Sequence, residues 1–464
     1  MEILILKILP AFILFSFGII AILWSFLTNN NKHFSYITIL GGSISFIFLI
    51  FNFGNVYTDT LFVFDDAGTI FSILFVFIML IIAISSMHFD YSHPEIFYSL
   101  LMFSTGAMIL AAYSNNLISI FITFEASSLS TYVLASYPKS RKTLESSMKF
   151  FVIGALSSAF IIFGISFYFI STNTFMLGVV SNSELFLLSL ILLLVGFGFK
   201  LSLFPFHSWA IDTYTGARSP VAALLSTSSK LMALAIMVRI FIFTFDISLS
   251  YYVQLFFIII SILTMTYGNV TALVQKDVKR MLAYSSVANA GYISLIFTIT
   301  TDQALSLALS SILLFSMAYI LMKGGAFLTM EDFESSGSSL ESMAGLGKKR
   351  PLLALSFAIL LFSLAGIPPT LGFMGKYFLF LSLIEGNLWW LAIIAVLNSA
   401  ISVYYYFRVI MYMYWKDSTT TITYHRNVEY AVFILSILTI VVGILTPFIF
   451  GYIHNMWFVG GVNP

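Results

Sequence analysis

Long apolar runs follow one another along the whole chain, and the polar positions gather in the short breaks between them. Each run can supply the roughly 20 helical residues that cross a hydrocarbon core. Backbone groups find no water in lipid, so only helices or closed barrels span it. Barrel strands are about 10 residues of alternating polarity, whereas Phe71–Ser86 and Leu187–Val195 are apolar without alternation. The pattern predicts an all-α polytopic membrane protein of about 14 transmembrane helices: 3–27, 36–54, 68–86, 97–113, 116–136, 147–170, 184–204, 220–244, 251–272, 281–300, 303–329, 351–384, 388–412 and 430–455. The first run is too long for a signal-peptide core and reads as a retained helix. The longest polar connection expected is 331–350.

Composition agrees with the pattern. Hydrophobic residues make up 60% and charged residues 9%, against about 25% charged in a soluble domain. A net charge of +1 offers no basic face to nucleic acid. The chain has no cysteine, so it supplies no disulfide, iron–sulfur ligand or thiol chemistry. Placing the cations on the predicted loops puts Lys32, Lys139, Arg141, Lys142, Lys149, Arg218, Lys276, Lys279, Arg280, Lys348, Lys349, Arg350, Lys416 and Arg426 on one face and Lys7 on the other. Positive loops stay cytoplasmic, so the expected topology is a plasma-membrane protein with both termini outside.

Six cations remain inside spans: Lys200, Lys230, Arg239, Lys323, Lys376 and Arg408. The two arginines lie near span ends, where they are expected to snorkel. The four lysines and Glu125 lie deeper. Each costs about 2.5–3.5 kcal/mol at mid-membrane, so such residues face a protein interior or a water path and pair with one another. Desolvation and neighbouring charge make lysine and glutamate able to exchange protons near neutral pH. A lysine also accompanies each interrupted helix: Lys200 precedes Pro205 in span 7, and Lys376 follows Gly366-Ile-Pro368-Pro369 in span 12. Two broken helices of opposite direction mark inverted repeats. The expected organisation is an N-terminal three-helix segment (1–96), a first repeat of helices 4–8 (97–250), a second of helices 9–13 (251–412) and a C-terminal loop with helix 14 (413–464).

These residues resemble a known family. Glu125, Leu144-Glu145-Ser-Ser-Met-Lys149, Gly198-Phe-Lys200-Leu-Ser-Leu-Phe-Pro205-Phe-His207-Ser-Trp209, Ser229-Lys230, Lys279-Arg280-Met-Leu-Ala-Tyr284-Ser285-Ser286 and Leu364-Ala-Gly-Ile-Pro368-Pro-Thr-Leu-Gly-Phe-Met-Gly-Lys376 are similar to the antiporter-like subunits of respiratory complex I, NADH–quinone oxidoreductase. The likeness spans Phe97–Ile410 and is greatest to N-type subunits, with lysine in the second broken helix; D-type subunits of Mrp sodium/proton antiporters and membrane subunits of energy-converting hydrogenases are close alternatives. It implies a proton-translocating subunit with no redox centre of its own. Flavin and iron–sulfur clusters would sit in partner subunits, M-like and K-like membrane neighbours would flank it, and the quinone pool would be reached through the complex. It implies a relay of Glu125, Lys200 paired with it, Lys230, Lys323 and Lys376. Asn289 stands where many relatives carry a titratable histidine, and Lys323 is the expected substitute link.

His207, just after Pro205, reads either as a proton-uptake residue or as a partner for backbone freed by the proline. His33, His88, His93, His425 and His454 read as solvated, and Asp65 and Asp66 as a water-facing edge. Gly196-x-Gly198 and Gly324-Gly325 lie in apolar helices and indicate close helix packing, not nucleotide loops.

Overall fold

A computed structural model describes residues 2–28, 30–88, 93–243, 250–335, 337–417 and 424–459. Its helices are α1 (Glu2–Trp24), α2 (Asn31–Phe51), α3 (Asp66–Ser85), α4 (Pro94–Tyr113), α5 (Leu117–Ala135), α6 (Arg141–Thr172), α7 (Glu184–Leu201), α8 (Ser208–Gly216), α9 (Ser219–Ser226), α10 (Ser228–Phe243), α11 (Ser250–Leu273), α12 (Val278–Ser294), α13 (Asp302–Thr329), α14 (Leu346–Lys349), α15 (Pro351–Ala365), α16 (Leu371–Glu385), α17 (Trp389–Trp415) and α18 (Arg426–Val459). A two-stranded ribbon pairs Tyr57 with Phe64 and Thr58 with Val63. All fourteen predicted spans fall on helix. Among the described residues, twelve candidate spans are long and apolar enough to cross a membrane. The other two are divided: α12 has 17 residues before a tighter 3-10 turn, and α15 and α16 have 15 each. The expected outward placement of the termini ends on Met1 and residues 460–464, outside the described residues.

The polar breaks between runs supply the helix caps. Asn30, Asp65, Asn116, Ser140, Ser183 and Asp277 each accept a hydrogen bond from a backbone N–H in the first turn of the helix that follows, satisfying donors that have no intrahelical partner. Both expected interruptions are present. α7 ends at Ser202 in the left-handed conformation (φ 58°) and the helix resumes at Ser208; α15 ends at Gly366 (φ 85°), and α16 starts at Leu371. A third break was not expected. Span 8 is cut at Thr227 (φ −110°, ψ −90°), three residues before Lys230.

The chain forms two compact units, Met1–Ser202 with Ser228–Tyr251, and Leu203–Thr227 with Tyr252–Val462. In the first, small residues bring helices together: Gly18 faces Phe103, Gly106 faces Phe15, and Gly196 faces Ile161. Serine hydroxyls donate across helices, Ser99 to the Gly18 carbonyl at 2.9 Å and Ser157 to that of Gly196 at 2.7 Å. Lipid offers no hydrophobic drive between helices, so close packing and such hydrogen bonds hold them. In the second unit, α11 and α12 meet backbone to backbone. A Cβ on Gly268 would lie 2.5 Å from the Ala288 nitrogen, and one on Gly291 would lie 2.6 Å from that of Met265. Long helices keep an apolar face outward, as with Ile434, Ile437, Val441, Ile444 and Phe448 of α18.

Segment 331–350, read from the sequence as a plain polar connection, is instead built into the second unit. Val278 N donates to the Ser338 carbonyl (2.7 Å), Leu340 N to that of Lys276 (2.9 Å), and Glu331 and Asp332 are buried.

Gly291→Leu should lower the stability of the detergent-solubilised protein by about 1–3 kcal/mol, the usual penalty of overpacking. Gly451→Leu, with no atom within 4 Å of its Cβ position, should not. Thermal unfolding of the two variants beside the unsubstituted chain measures the difference.

Candidate functional site

In the first unit, α5 presents Glu125 and Ser128 one helical turn apart. Ser158 of α6 donates to Glu125 Oε1. Lys200, in the last turn of α7 and fully buried, donates to Ser128 Oγ at 3.1 Å. The rings of Phe124, Tyr132 and Phe150 stand 5.1–5.5 Å from its Nζ, near enough for a desolvated ammonium to be stabilised by ring quadrupoles. Among the described residues no ion pair joins Glu125 to Lys200; a serine hydroxyl stands on each. Lys230 is fully buried just beyond the break at Thr227, beside buried Ser228 and Ser229.

In the second unit, fully buried Lys323 of α13 donates to the Leu282 carbonyl (2.8 Å) and to Ser285 Oγ, both on α12. Asn289, one turn on, donates to the Ser285 carbonyl at 2.7 Å. Lys376 of α16 reaches back across the break to the carbonyls of Leu364 (2.9 Å) and Ala365 (3.4 Å), and to Ser399 Oγ (3.1 Å). Those carbonyls end α15, where four acceptors lack intrahelical donors and the helix dipole is negative. Tyr292 faces Lys376 at 5.0 Å and begins a polar chain: its hydroxyl accepts from Asn269, which in turn accepts from Tyr405 and donates to Asn398. His207 lies in the link between α7 and α8, its ring against those of Phe204 and Tyr267. The proposed relay residues are thus divided between the units, with Glu125, Lys200 and Lys230 in the first and His207, Lys323 and Lys376 in the second.

Several charges differ from the sequence reading. Arg239 does not snorkel. It is 6% exposed and donates to the Ala112 carbonyl (2.7 Å) and to Asp65 (2.8 Å). Asp65, expected as a solvated edge, both caps α3 and holds this arginine. Arg408 binds the carbonyls of Leu273 and Gln275 at the end of α11, and Lys7 binds those of Asn52 and Asn55 after α2. On the basic face, Lys279 pairs with Glu334 (3.0 Å) and Arg218 approaches it at 3.6 Å. Asp332 binds Arg350 and, at 2.8 Å, His425, a residue read as solvated; Arg350 also reaches Glu429 at 3.5 Å. Serine hydroxyls beside the buried lysines, and the cluster of carboxylates at 331–334 on the basic face, are the sequence signals of these partners.

Residues 114–402 match the family described as NADH:quinone oxidoreductase/Mrp antiporter, TM. The chain belongs to this family. It is 38% identical to F(420)H(2) dehydrogenase subunit N of Methanosarcina mazei over 87% of its length and 88% of that protein's. It is 40% identical to NADH-quinone oxidoreductase subunit N of Trichlorobacter lovleyi over 76% and 75%. Its fold matches a chain of respiratory complex I from Thermus thermophilus, solved with bound aureothin, with a TM-score of 0.85, 29% identity, and coverage of 95% and 98%. The matched family segment contains Glu125, Lys200, His207, Lys230, Lys323 and Lys376. Its relatives are membrane subunits of multi-subunit oxidoreductases.

Burial alone would raise the Glu334 carboxyl, but Lys279, its hydrogen bond and that of Ser219, and Arg218 together hold it below the ordinary 4.5. A carboxyl depressed in the folded state contributes stability above its unfolded value and loses it as pH falls through the folded one. Glu334→Gln should therefore cost about 2 kcal/mol at pH 7. The gap from the unsubstituted protein should close as pH falls below about 4.5. Thermal unfolding of both proteins across this pH range tests the sign.

Proposed function

We propose that this chain is an N-type proton-translocating membrane subunit of a complex I-like quinone oxidoreductase. Protons are taken up from the face bearing the basic loops, which is cytoplasmic by the positive-inside rule, and released on the opposite face. The observation that carries this reading is the ligation of Lys200 and Lys376 by neutral oxygens, serine hydroxyls and helix-end carbonyls. A lysine locked to a carboxylate is a structural ion pair; one solvated by neutral oxygens can lose its proton without leaving a buried anion unpaired.

In this reading electron transfer elsewhere in the complex alters the field at Glu125. A nearby carboxylate favours the protonated lysine, so moving Glu125 away drives the Lys200 proton to Lys230, then by Lys323 to Lys376 and outward. His207 serves uptake toward Lys200. The polar chain of Tyr292, Asn269 and Tyr405 orders the region beside Lys376. Flavin and iron–sulfur clusters belong to partner subunits, with M-like and K-like membrane subunits alongside. The reading is not tied to one electron donor, since its relatives include both F(420)H(2) and NADH enzymes.

Lys230→Ala in the intact complex should abolish coupled proton pumping while assembly is retained; unchanged protons per electron in sealed vesicles would refute the relay. Lys323→Ala should also depress pumping, because Asn289 does not titrate. Full pumping in that variant would remove Lys323 from the path.

A further inference from the structure

We propose that Glu331 is the proton-loading carboxyl of the second unit, passing protons from the basic face to Lys323 past the ring of Phe327. This rests on the relay reading above and adds an uptake point that reading does not contain.

Glu331 lies in the 3-10 turn Met330–Phe333 that extends α13, the helix that carries Lys323. Positions 323, 327 and 331 are spaced by four and share a helix face. Eight residues at helical rise separate their Cα atoms by about 12 Å. Phe327 fills the interval, its ring 5.7 Å from Lys323 Nζ and packed edge-on against Tyr214 at 5.8 Å. Glu331 is only 3% exposed, and its Oε2 has no hydrogen-bond partner among the described residues.

The charges around it sharpen the assignment. Lys279 of α12 and Arg218 ahead of α9 face this turn, and both reach Glu334. On the other side Asp332 takes Arg350 and His425. Glu331 thus neighbours two carboxylates, Asp332 and Glu334, that have cations, and is itself in no ion pair among the described residues. A buried carboxyl kept only for packing would cost free energy with nothing to offset it. A carboxyl that alternates between acid and anion needs this combination: cations near enough to tolerate the anion, and no fixed partner to prevent reprotonation. In the transfer, the Glu331 O–H bond breaks and an N–H bond forms on the neutral Lys323 amine through water admitted when Phe327 turns aside. Solvent on the basic face then returns a proton to the carboxylate.

The test uses the intact complex in sealed vesicles, with Glu331→Gln, Glu331→Asp and Lys230→Ala assayed together for proton translocation and electron transfer. Glu331→Gln should abolish most of the protons translocated per electron, because an amide cannot bind and release the transferred proton. Glu331→Asp should restore pumping with a displaced pH profile. Infrared difference spectra should show a protonated-carboxyl C=O band that changes on turnover and is absent from Glu331→Gln. If Lys230→Ala loses pumping while Glu331→Gln retains it, the Glu331 assignment falls and the relay stands. If Lys230→Ala retains pumping, the relay itself falls. If Glu331→Gln fails to assemble, Glu331→Asp decides: a displaced pH profile supports the role, and an unchanged profile overturns it.

Discussion

An ammonium group in the membrane interior needs oxygen atoms around it, and the placement of the breaks in these helices answers to that need. A continuous helix consumes its own carbonyls; one stopped at Gly366 exposes those of its last turn. Lys376 takes two of them, joined by Ser399. Lys200 stands beside its own helix end, with Ser128 as hydroxyl partner and three aromatic rings closing the site. Lys323 uses an unbroken helix, yet the pattern persists, because a carbonyl has two lone pairs and Leu282 lends one. Non-helical backbone at membrane depth is tolerable only where something satisfies it, so the break at Gly366 and Lys376 stabilise one another.

Close packing keeps these groups in register. Backbone contact at Gly268 and Gly291 fixes α12, which carries the Ser285 and Leu282 oxygens for Lys323. Gly372 leaves room for the Ser363 carbonyl only 2.1 Å from its Cβ position, and a Cβ on Gly443 of α18 would lie 2.4 Å from the Pro369 carbonyl. The second break is thus gripped from two sides, and any larger side chain there would move the carbonyls that Lys376 uses.

The helical runs and both expected breaks were legible because their causes are local: an apolar run, a proline, a glycine able to take positive φ. The buried lysines were legible by contrast with the apolar runs around them. Their partners were not, since serine is common and Ser128 lies 72 positions from Lys200. The same holds for Asp65, 174 positions from Arg239, and for Glu334, 55 from Lys279. The break at Thr227 has neither proline nor glycine, but Ser226-Thr-Ser-Ser229 precedes Lys230. Hydroxyls in such a run bond back to helix carbonyls, as Ser226 and Thr227 both do to Ala223, and compete with the helix ladder.

The two kinds of cation divide the labour in a way their chemistry dictates. Arginine keeps its proton and presents a rigid fork of donors, and here it fixes structure: Arg239 to Asp65 and Ala112, Arg350 to Asp332 and Glu429, Arg408 to the end of α11. Two of these bind carboxylates, which is harmless where no proton has to leave. Lysine can release its proton, and the deep lysines Lys200 and Lys376 are given neutral oxygens. Exchanging the two would change that chemistry: an arginine at position 376 would hold its charge permanently, and a carboxylate at position 399 would favour the protonated lysine. The chain thus gives its buried arginines carboxylates and helix-end carbonyls, and gives Lys200 and Lys376 neutral oxygens.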